Sequence, residues 1–446
     1  MEDALHLARA QFGLNIGFHI LFPSITIALA WILLFFRVRW LRTGDPIWRA
    51  SYQLWTKIFA LTFGMGVVTG VLMSFQFGTN WPGYMRAVGN VAGPLLAYEV
   101  LTAFFLEATF LAVMLFGINR VPAWLHVLAT LLVALGTTMS AFWILALNSW
   151  MQTPAGYVIE EGQLIAGSWA QVIFNPSFPY RFTHMLLASG LTGSFLIAGL
   201  SAWRLLKAQA DRAAAATLRA GLAIAAVLAP LQVLVGDMHG LNTLEHQPAK
   251  IAAMEAAWET RTRLPLVLFA IPNESTRRND FAIEIPALAS LILRHDIDGE
   301  VRGINDFAPD TPPVAPLFFA FRIMVGTGVA MLLAAWVGAY LTRRGMLPPR
   351  PVLWVFAAMT FFGWIATLAG WVVTEMGRQP WLVTGVLRTA DAVGPVPEAS
   401  LGSSLTSYVL TYALMLLSYI VVLTHLAGKG AGDVAESVAR GVAQPA

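Results

Sequence analysis

Long apolar stretches alternate with short polar connections along almost the whole chain. About 20 mostly apolar residues are needed to cross a bilayer. Nine stretches qualify, roughly 12–36, 53–75, 94–117, 124–147, 184–206, 217–236, 314–340, 352–374 and 404–427. Breakers mark their ends, among them Thr43-Gly44-Asp45-Pro46, Gly78-Thr79-Asn80, Pro154-Ala155-Gly156 and the prolines between Pro348 and Pro351. Segment 237–313 departs from the rhythm. It is polar, holds many of the carboxylates and is too long for a simple connection, a pattern usual for functional loops. The pattern predicts an all-α, polytopic transmembrane helical bundle of about nine spans. It has three parts: helices one to six over 1–236, a loop over 237–313, and helices seven to nine over 314–446. No internal repeat is visible, so an inverted-repeat transporter is not suggested.

Composition agrees with this pattern. Of 446 residues 57% are hydrophobic and 12% charged, with mean hydropathy +0.66; soluble domains carry about 25% charged residues. The net charge of +3 does not argue for nucleic acid; in a membrane protein positive residues mostly set orientation. One set of alternate connections holds Arg37, Arg39, Arg42, Arg49, Arg120, Arg204, Lys207, Arg212, Arg219, Arg343, Arg344 and Arg350, and the tail adds Lys429 and Arg440. In the other set, connections 76–93 and 150–180 carry almost none beyond Arg86. The positive-inside rule then predicts the N-terminus outside, the C-terminus inside and loop 237–313 outside. The absence of cysteine excludes disulfides, thiolate-bound clusters and the attachment motif of c-type haem. The N-terminus lacks the pattern of a removable signal peptide.

Against this apolar background His19, His184 and Glu375 stand out, lying in or at the ends of spans. An ionisable residue in a span is by default a functional hypothesis, and with Met324 these are side chains able to ligate haem iron or a related metal. Counting from the outer ends at 1.5 Å per residue puts all four in the outer half of the membrane, within ~15 Å of its surface. Each has an ordinary reading too: a wetted span-end histidine, a packing methionine, a snorkelling glutamate. His126, near the inner end of span four, fits such a reading. Agreement in depth is what raises the four above it, although depth alone does not bring them together in the plane.

Glu99 and Glu107 lie in span three. Eight residues of helix separate them by about 12 Å along the axis and about 80° around it, a ladder on one broad face. Carboxylates in series, with hydroxyls or water between, carry protons through membrane proteins; the ordinary alternative is a buried hydrogen bond to a neighbouring helix. Ser140 and Asn148, around span four, are suited to supply polar steps, as they are to helix packing.

These residues sit in strings that resemble a known family. Gly377-Arg378-Gln379-Pro380-Trp381, preceded by Gly370-Trp371-Val372-Val373-Thr374-Glu375, is similar to the GRQPW region of cytochrome bd quinol oxidase, subunit I. The similarity extends to Phe75-Gln76-Phe77-Gly78-Thr79-Asn80-Trp81, Ala103-Phe104-Phe105-Leu106-Glu107, Trp143-Ile144-Leu145, Trp150-Met151-Gln152 and Phe319-Ala320-Phe321-Arg322-Ile323-Met324. Lys250-Ile251-Ala252-Ala253-Met254-Glu255, with Trp258-Glu259-Thr260, resembles the quinol-loop motif. The strings run in the family's order over about 400 residues.

The resemblance implies a terminal quinol:oxygen oxidoreductase of the bacterial cytoplasmic membrane that generates proton motive force without pumping. It implies His184 and Met324 as axial ligands of a low-spin haem b. His19 and Glu375 then serve two high-spin haems, one of b type and one of d type or a further b, with the assignment between them open. Lys250 and Glu255 match residues of quinol oxidation, and without the resemblance would read as a solvated helix face. Glu99 and Glu107 match the proton route. Arg322 and Arg378 are suited to haem propionates, and Trp371 belongs with the cofactor-binding residues. Implied partners are quinol, O2, membrane lipid, a second membrane subunit and, in some forms, a small accessory one. The outer loop is short, as in the members that include cyanide-insensitive enzymes. A haem–copper oxidase fails by counting: as a class it needs six membrane histidines, and only His19, His126, His184 and His425 lie in or at spans. An ion-coupled transporter using Glu99, Glu107 and Glu375 is the alternative, but it gives no role to His184, Met324 or the polar loop.

Overall fold

The protein is described by a computed structural model covering residues 2–439; Arg440, counted above with the basic tail, lies outside them. Among the described residues, nine helical segments are long and apolar enough to cross a membrane. The first is two helices, α1 (Glu2–Ile20) and α2 (Pro23–Thr43). Pro23 lacks an amide hydrogen and begins α2, so the break falls at Leu21–Phe22. The Leu21 carbonyl freed there accepts from Trp364 Nε1 at 2.7 Å and Ser24 Oγ at 2.8 Å, since in lipid every backbone polar group must find a partner.

The second span is α3 (Pro46–Thr79), capped by the Asp45 carboxylate on the Ile47 amide. The third comprises α4 (Pro82–Tyr98) and α5 (Phe105–Phe116), joined by a π-helical segment over Glu99–Phe104. It begins well before residue 94, where the apolar run had placed its start. α6 (Ala123–Gln152) is the fourth. A hairpin of β1 (Tyr157–Glu160) and β2 (Gln163–Ala166) and the short α7 (Trp169–Ile173) lead to α8 (Phe178–Lys207), which starts six residues before His184. α9 (Arg212–His246) follows and runs on past residue 236.

The polar segment is structured. α10 (Pro248–Met254) leads to an antiparallel hairpin, β3 (Leu266–Asn273) and β4 (Arg278–Ile285), and then to α11 (Leu288–Arg294). α12 (Val314–Thr342) is the seventh span. α13 (Arg350–Ala358) and α14 (Phe362–Met376) make the eighth, with a 3-10 turn between. β5 (Trp381–Val383), β6 (Leu387–Arg388) and α15 (Thr389–Ala392) precede α16 (Glu398–Ala439), whose apolar part is the ninth. The all-α reading therefore holds for the membrane part, while among the described residues the connections carry three two-stranded sheets.

Helices pack closely where small residues meet, as is usual in membranes. A Cβ on Gly193 of α8 would lie 2.9 Å from Ala28, and one on Gly221 of α9 would lie 2.7 Å from the Ser194 carbonyl. Ser201 and Thr217 share a hydrogen bond of 2.6 Å across α8 and α9. At one end of that pair the buried Arg204 and Asp211 lie 2.6 Å apart, and Asp211 also caps α9 through the Ala214 amide. Removing one partner of such a buried pair costs about 3–5 kcal/mol. The central core packs the rings of Phe22, Trp364 and Tyr419 edge-on or tilted where the start of α2 meets α14 and α16.

Candidate functional site

The predicted residues gather in three places. The first is a cavity of about 1300 Å³, lined by His19, Glu99, Glu107, Ser140, Asn148, Trp371, Glu375 and Arg378 among others. His19 occupies the last turn of α1, just before the break, and its Nδ1 lies 2.9 Å from Thr69 Oγ1 of α3. Space for its ring comes from Gly70, where a Cβ would lie 3.2 Å from His19 Cε1. Glu375 ends α14; one oxygen accepts from Asn148 Nδ2 at 2.8 Å and the other pairs with Arg378. The Trp371 ring lies against Gly13 and Gly17 of α1.

Glu99 and Glu107 both face α6. Glu99 accepts from Ser140 Oγ at 2.7 Å, and a Cβ on Gly136 would come within 2.5 Å of Glu107 Cγ. One stripe of α6 thus carries Gly136, Ser140, Ile144 and Asn148 at four-residue intervals, meeting Glu107, Glu99 and Glu375 in turn. The π-helical turns after Glu99 change the angle between the two glutamates from that of a regular helix, and such segments occur often at functional sites.

The second place, the slot, lies among α8, α9, α12 and α14, with His184 of α8 against α9 and Met324 of α12 against α14. His184 Nε2 lies 3.0 Å from Gln232 Nε2, while its Nδ1 is buried without a partner. Glycines face both predicted ligands. A Cβ on Gly236 would lie 3.4 Å from His184 Cε1, and one on Gly370 would lie 2.9 Å from Met324 Sδ. Neither His184 nor Met324 lines the cavity, although Met185 does. Equal depth therefore did not mean one site.

The third place lies under the polar segment. Lys250 and Glu255 are 3% and 6% exposed, so the solvated-face reading is corrected: α10 is sunk against the span ends. Lys250 Nζ donates to Gln152 Oε1 at 2.7 Å, Gln247 Oε1 at 2.9 Å and the Thr374 carbonyl at 3.2 Å. Burial, then the positive charges of Arg181 and Arg378, push its ammonium well below the usual lysine range despite the opposing Glu375. Glu255 instead pairs with Arg322 at 2.8 Å. Arg322 also donates to the carbonyls of Val267 and Met254 and lies over the Phe318 ring at 3.9 Å. Arg378 keeps two buried nitrogens without partners, Nε and Nη1.

Sequence reasoning passed over Gln152, Gln247 and Arg181, which surround Lys250, and the glycines that make room at each histidine. Gln152 stood inside a quoted string, and Arg181 precedes His184 by three residues on one apolar helix; both signals were present.

The sequence profile of the family described as cytochrome bd terminal oxidase subunit I matches residues 7–431. The chain belongs to this family. It is 36% identical to the cytochrome bd ubiquinol oxidase subunit 1 of Bacillus subtilis (strain 168) over 92% of this chain and 91% of that one. It is 32% identical to the cytochrome bd-II ubiquinol oxidase subunit 1 of Escherichia coli (strain K12), over 96% and 97%. Among solved structures it is similar to bd oxidase from Geobacillus thermodenitrificans, with a TM-score of 0.86, 29% identity and coverage of 95% and 98%.

Membership in the cytochrome bd family implies haem, and the side chains present fit it. Two histidines, a thioether and a carboxylate are suited to iron, glycines leave room at His19, His184 and Met324, and the unpartnered nitrogens of Arg378 suit a propionate.

Proposed function

We propose that this subunit oxidises quinol at the outer face of the bacterial cytoplasmic membrane and supports reduction of O2 to water inside the bundle. The observation that carries the reading is the shared cavity: His19 and Glu375 open into the same space as a stripe of polar groups running from Glu107 through Glu99 and Ser140 to Asn148. The family match gives the alternative of an ion-coupled transporter no support.

His184 and Met324 are assigned a low-spin haem b, and His19 and Glu375 two high-spin haems, one of b type and the other of d type or a further b. When bound, these groups pass electrons from quinol to oxygen. The residues of the chain handle the protons and the positioning. Glu255, fixed by Arg322, is placed to take a hydroxyl proton from quinol as a general base. Lys250, whose neutral amine burial favours, is a second acceptor: as the amine it donates to two of its three oxygen neighbours, and on taking a proton it donates to all three, Gln152, Gln247 and the Thr374 carbonyl. Glu107 takes protons from the inner side, and Glu99 with Ser140 passes them towards Asn148 and Glu375. Arg378 holds Glu375 in place and offers its free donors to a propionate. Trp371 fills the wall between α14 and α1.

The basic residues in alternate connections support an N-terminus outside and a C-terminus inside. With that orientation quinol protons leave outside and water-forming protons enter from inside. Each charge so separated is worth ~2.3 kcal/mol per 100 mV. The second membrane subunit completes proton entry near Glu107, and a small accessory subunit is a further partner.

A dithionite-reduced minus oxidised spectrum with pyridine haemochrome analysis tests this reading, on protein made with its partner and ample haem. Haem bands from low-spin and high-spin centres are expected. A spectrum without haem bands overturns it.

A further inference from the structure

We propose that the β3–β4 hairpin is a lipid-seated element, its apolar outer face resting in the acyl chains at the edge of the leaflet on its side. The two faces of the hairpin differ. Val267 and Ala270 point inward and pack with Met254, Leu317 and Phe318. On the other face Phe269 is 47% exposed, Ile271 48%, Ile283 59% and Phe281 81%, with Ile285 close by. Phe269 and Ile283 are cross-strand partners, and Ile285 follows two residues on, opposite the half-buried Leu266, so these exposed side chains form one patch; Phe281 lies in the irregular stretch just before them, and Ile271 is paired with Asp280 towards the turn. Phe281 has φ 54°, a backbone conformation that aromatic residues rarely adopt, and it is the most exposed of them. A contiguous apolar patch of this kind on a surface facing water marks an interaction site.

What covers it follows from where the hairpin is tied. Near the tip, Glu274 accepts from the amides of Val314 and Ala315, the first residues of α12, at 2.9 and 3.3 Å. Near the base, the Val267 carbonyl accepts from Arg322 at 2.7 and 3.0 Å. The hairpin therefore runs beside the first two turns of a membrane span, with its base on the deeper side. Phe269 meets Phe319 of α12 at 6.5 Å between ring centroids. Phe319 begins a series of exposed apolar side chains, Ile323, Val329 and Leu333, that continues down the helix. α12 has 29 residues, about 43 Å, and a hydrocarbon core of about 30 Å centred on it begins close to Phe319. The patch is thus continuous with the lipid-facing side of α12 and meets it at the hydrocarbon edge. The turn, with Glu274, Arg277 and Arg278, is polar and exposed, which suits the aqueous side. This placement does not depend on the haem or quinol assignments or on which side of the membrane is outer.

The chain has no cysteine, so Phe281→Cys, Ile283→Cys and Ile285→Cys each admit one nitroxide, with Arg277→Cys as an aqueous reference and Val329→Cys as a lipid reference. The complex with its partner is reconstituted in liposomes without reductant, and the unsubstituted complex is the labelling control. Power saturation is measured against oxygen, which concentrates in lipid, and a water-soluble nickel chelate. The expected oxygen-to-nickel ratio exceeds that at position 277 and rises from 281 through 283 to 285 towards the value at 329. Ratios as low as at 277 at all three positions overturn the proposal in favour of an aqueous face. Labels immobilised and shielded from both reagents overturn it in favour of a covering protein.

Discussion

The cavity around His19 and Glu375 and the slot around His184 and Met324 lie on neighbouring helices yet are built differently. The cavity is wide, about 1300 Å³, and its walls carry two hydrogen-bonded pairs, Glu99 with Ser140 and Glu375 with Asn148, and a third carboxylate, Glu107, with one buried oxygen unpartnered. The slot has a glycine beside each proposed ligand, as His19 also has in Gly70, and the polar groups it offers His184 are Gln232 and the His239 ring, 5.5 Å away between centroids. Oxygen reduction would need space and a supply of protons, which the cavity and its carboxylates offer, whereas His184 and Met324 would hold a haem that only passes electrons. His/Met ligation also raises haem potential, which suits an acceptor beside quinol. The difference in construction matches the division of labour proposed for the two sites.

Substitutions should separate them. The largest effect is expected from Glu375→Ala, which removes a proposed haem ligand and the partner of Arg378. Oxygen uptake should be abolished while the low-spin band stays reducible by quinol, which stopped-flow absorbance would follow; loss of both together would merge the two sites. Glu107→Gln comes next. Turnover should fall by about 10²–10⁴, the usual worth of a positioned acid or base, with quinol reduction of the low-spin centre unchanged.

That these two carboxylates stand out in the amino-acid sequence reflects how membranes penalise charge. Glu99, Glu107 and Glu375 were legible because apolar surroundings offer them no ordinary role, and the nine spans because lipid demands long apolar runs. The meeting of Glu107 with Gly136 was not legible, because a glycine carries no polar signal and the contact depends on in-plane packing. The π-helical turn after Glu99 and the break after His19 alter directions that a regular helix count assumes constant. Depth could be counted along each span, but the separation of His184 from the cavity could not, since it depends on which helices are neighbours. Lys250 and Glu255 looked solvated because polar loops usually are, and their burial rests on partners far along the chain, Gln152 and Thr374 for Lys250 and Arg322 for Glu255.

A smaller effect is expected from Glu255→Gln. Quinol oxidation should slow by about 10²-fold or less, since Lys250 remains. Stability should fall as well, because Arg322 loses a buried partner, with about 3–5 kcal/mol as the scale for such a loss. Steady-state kinetics with quinol, beside thermal melting followed by the haem bands, would check both, and unchanged quinol kinetics would remove Glu255 from the reaction. Gly370→Ala should do least. Its methyl would press on Met324 Sδ at 2.9 Å, shifting the low-spin band and its potential while the high-spin bands stay fixed. A shift of the high-spin bands instead would show that the slot and cavity are not independent.

The separation of the two sites is tested most directly by the reduced minus oxidised spectrum of His184→Ala, purified with the partner subunit and compared with the unsubstituted complex. The account predicts loss of the low-spin haem signal with the high-spin features partly retained. An unchanged low-spin band would contradict it.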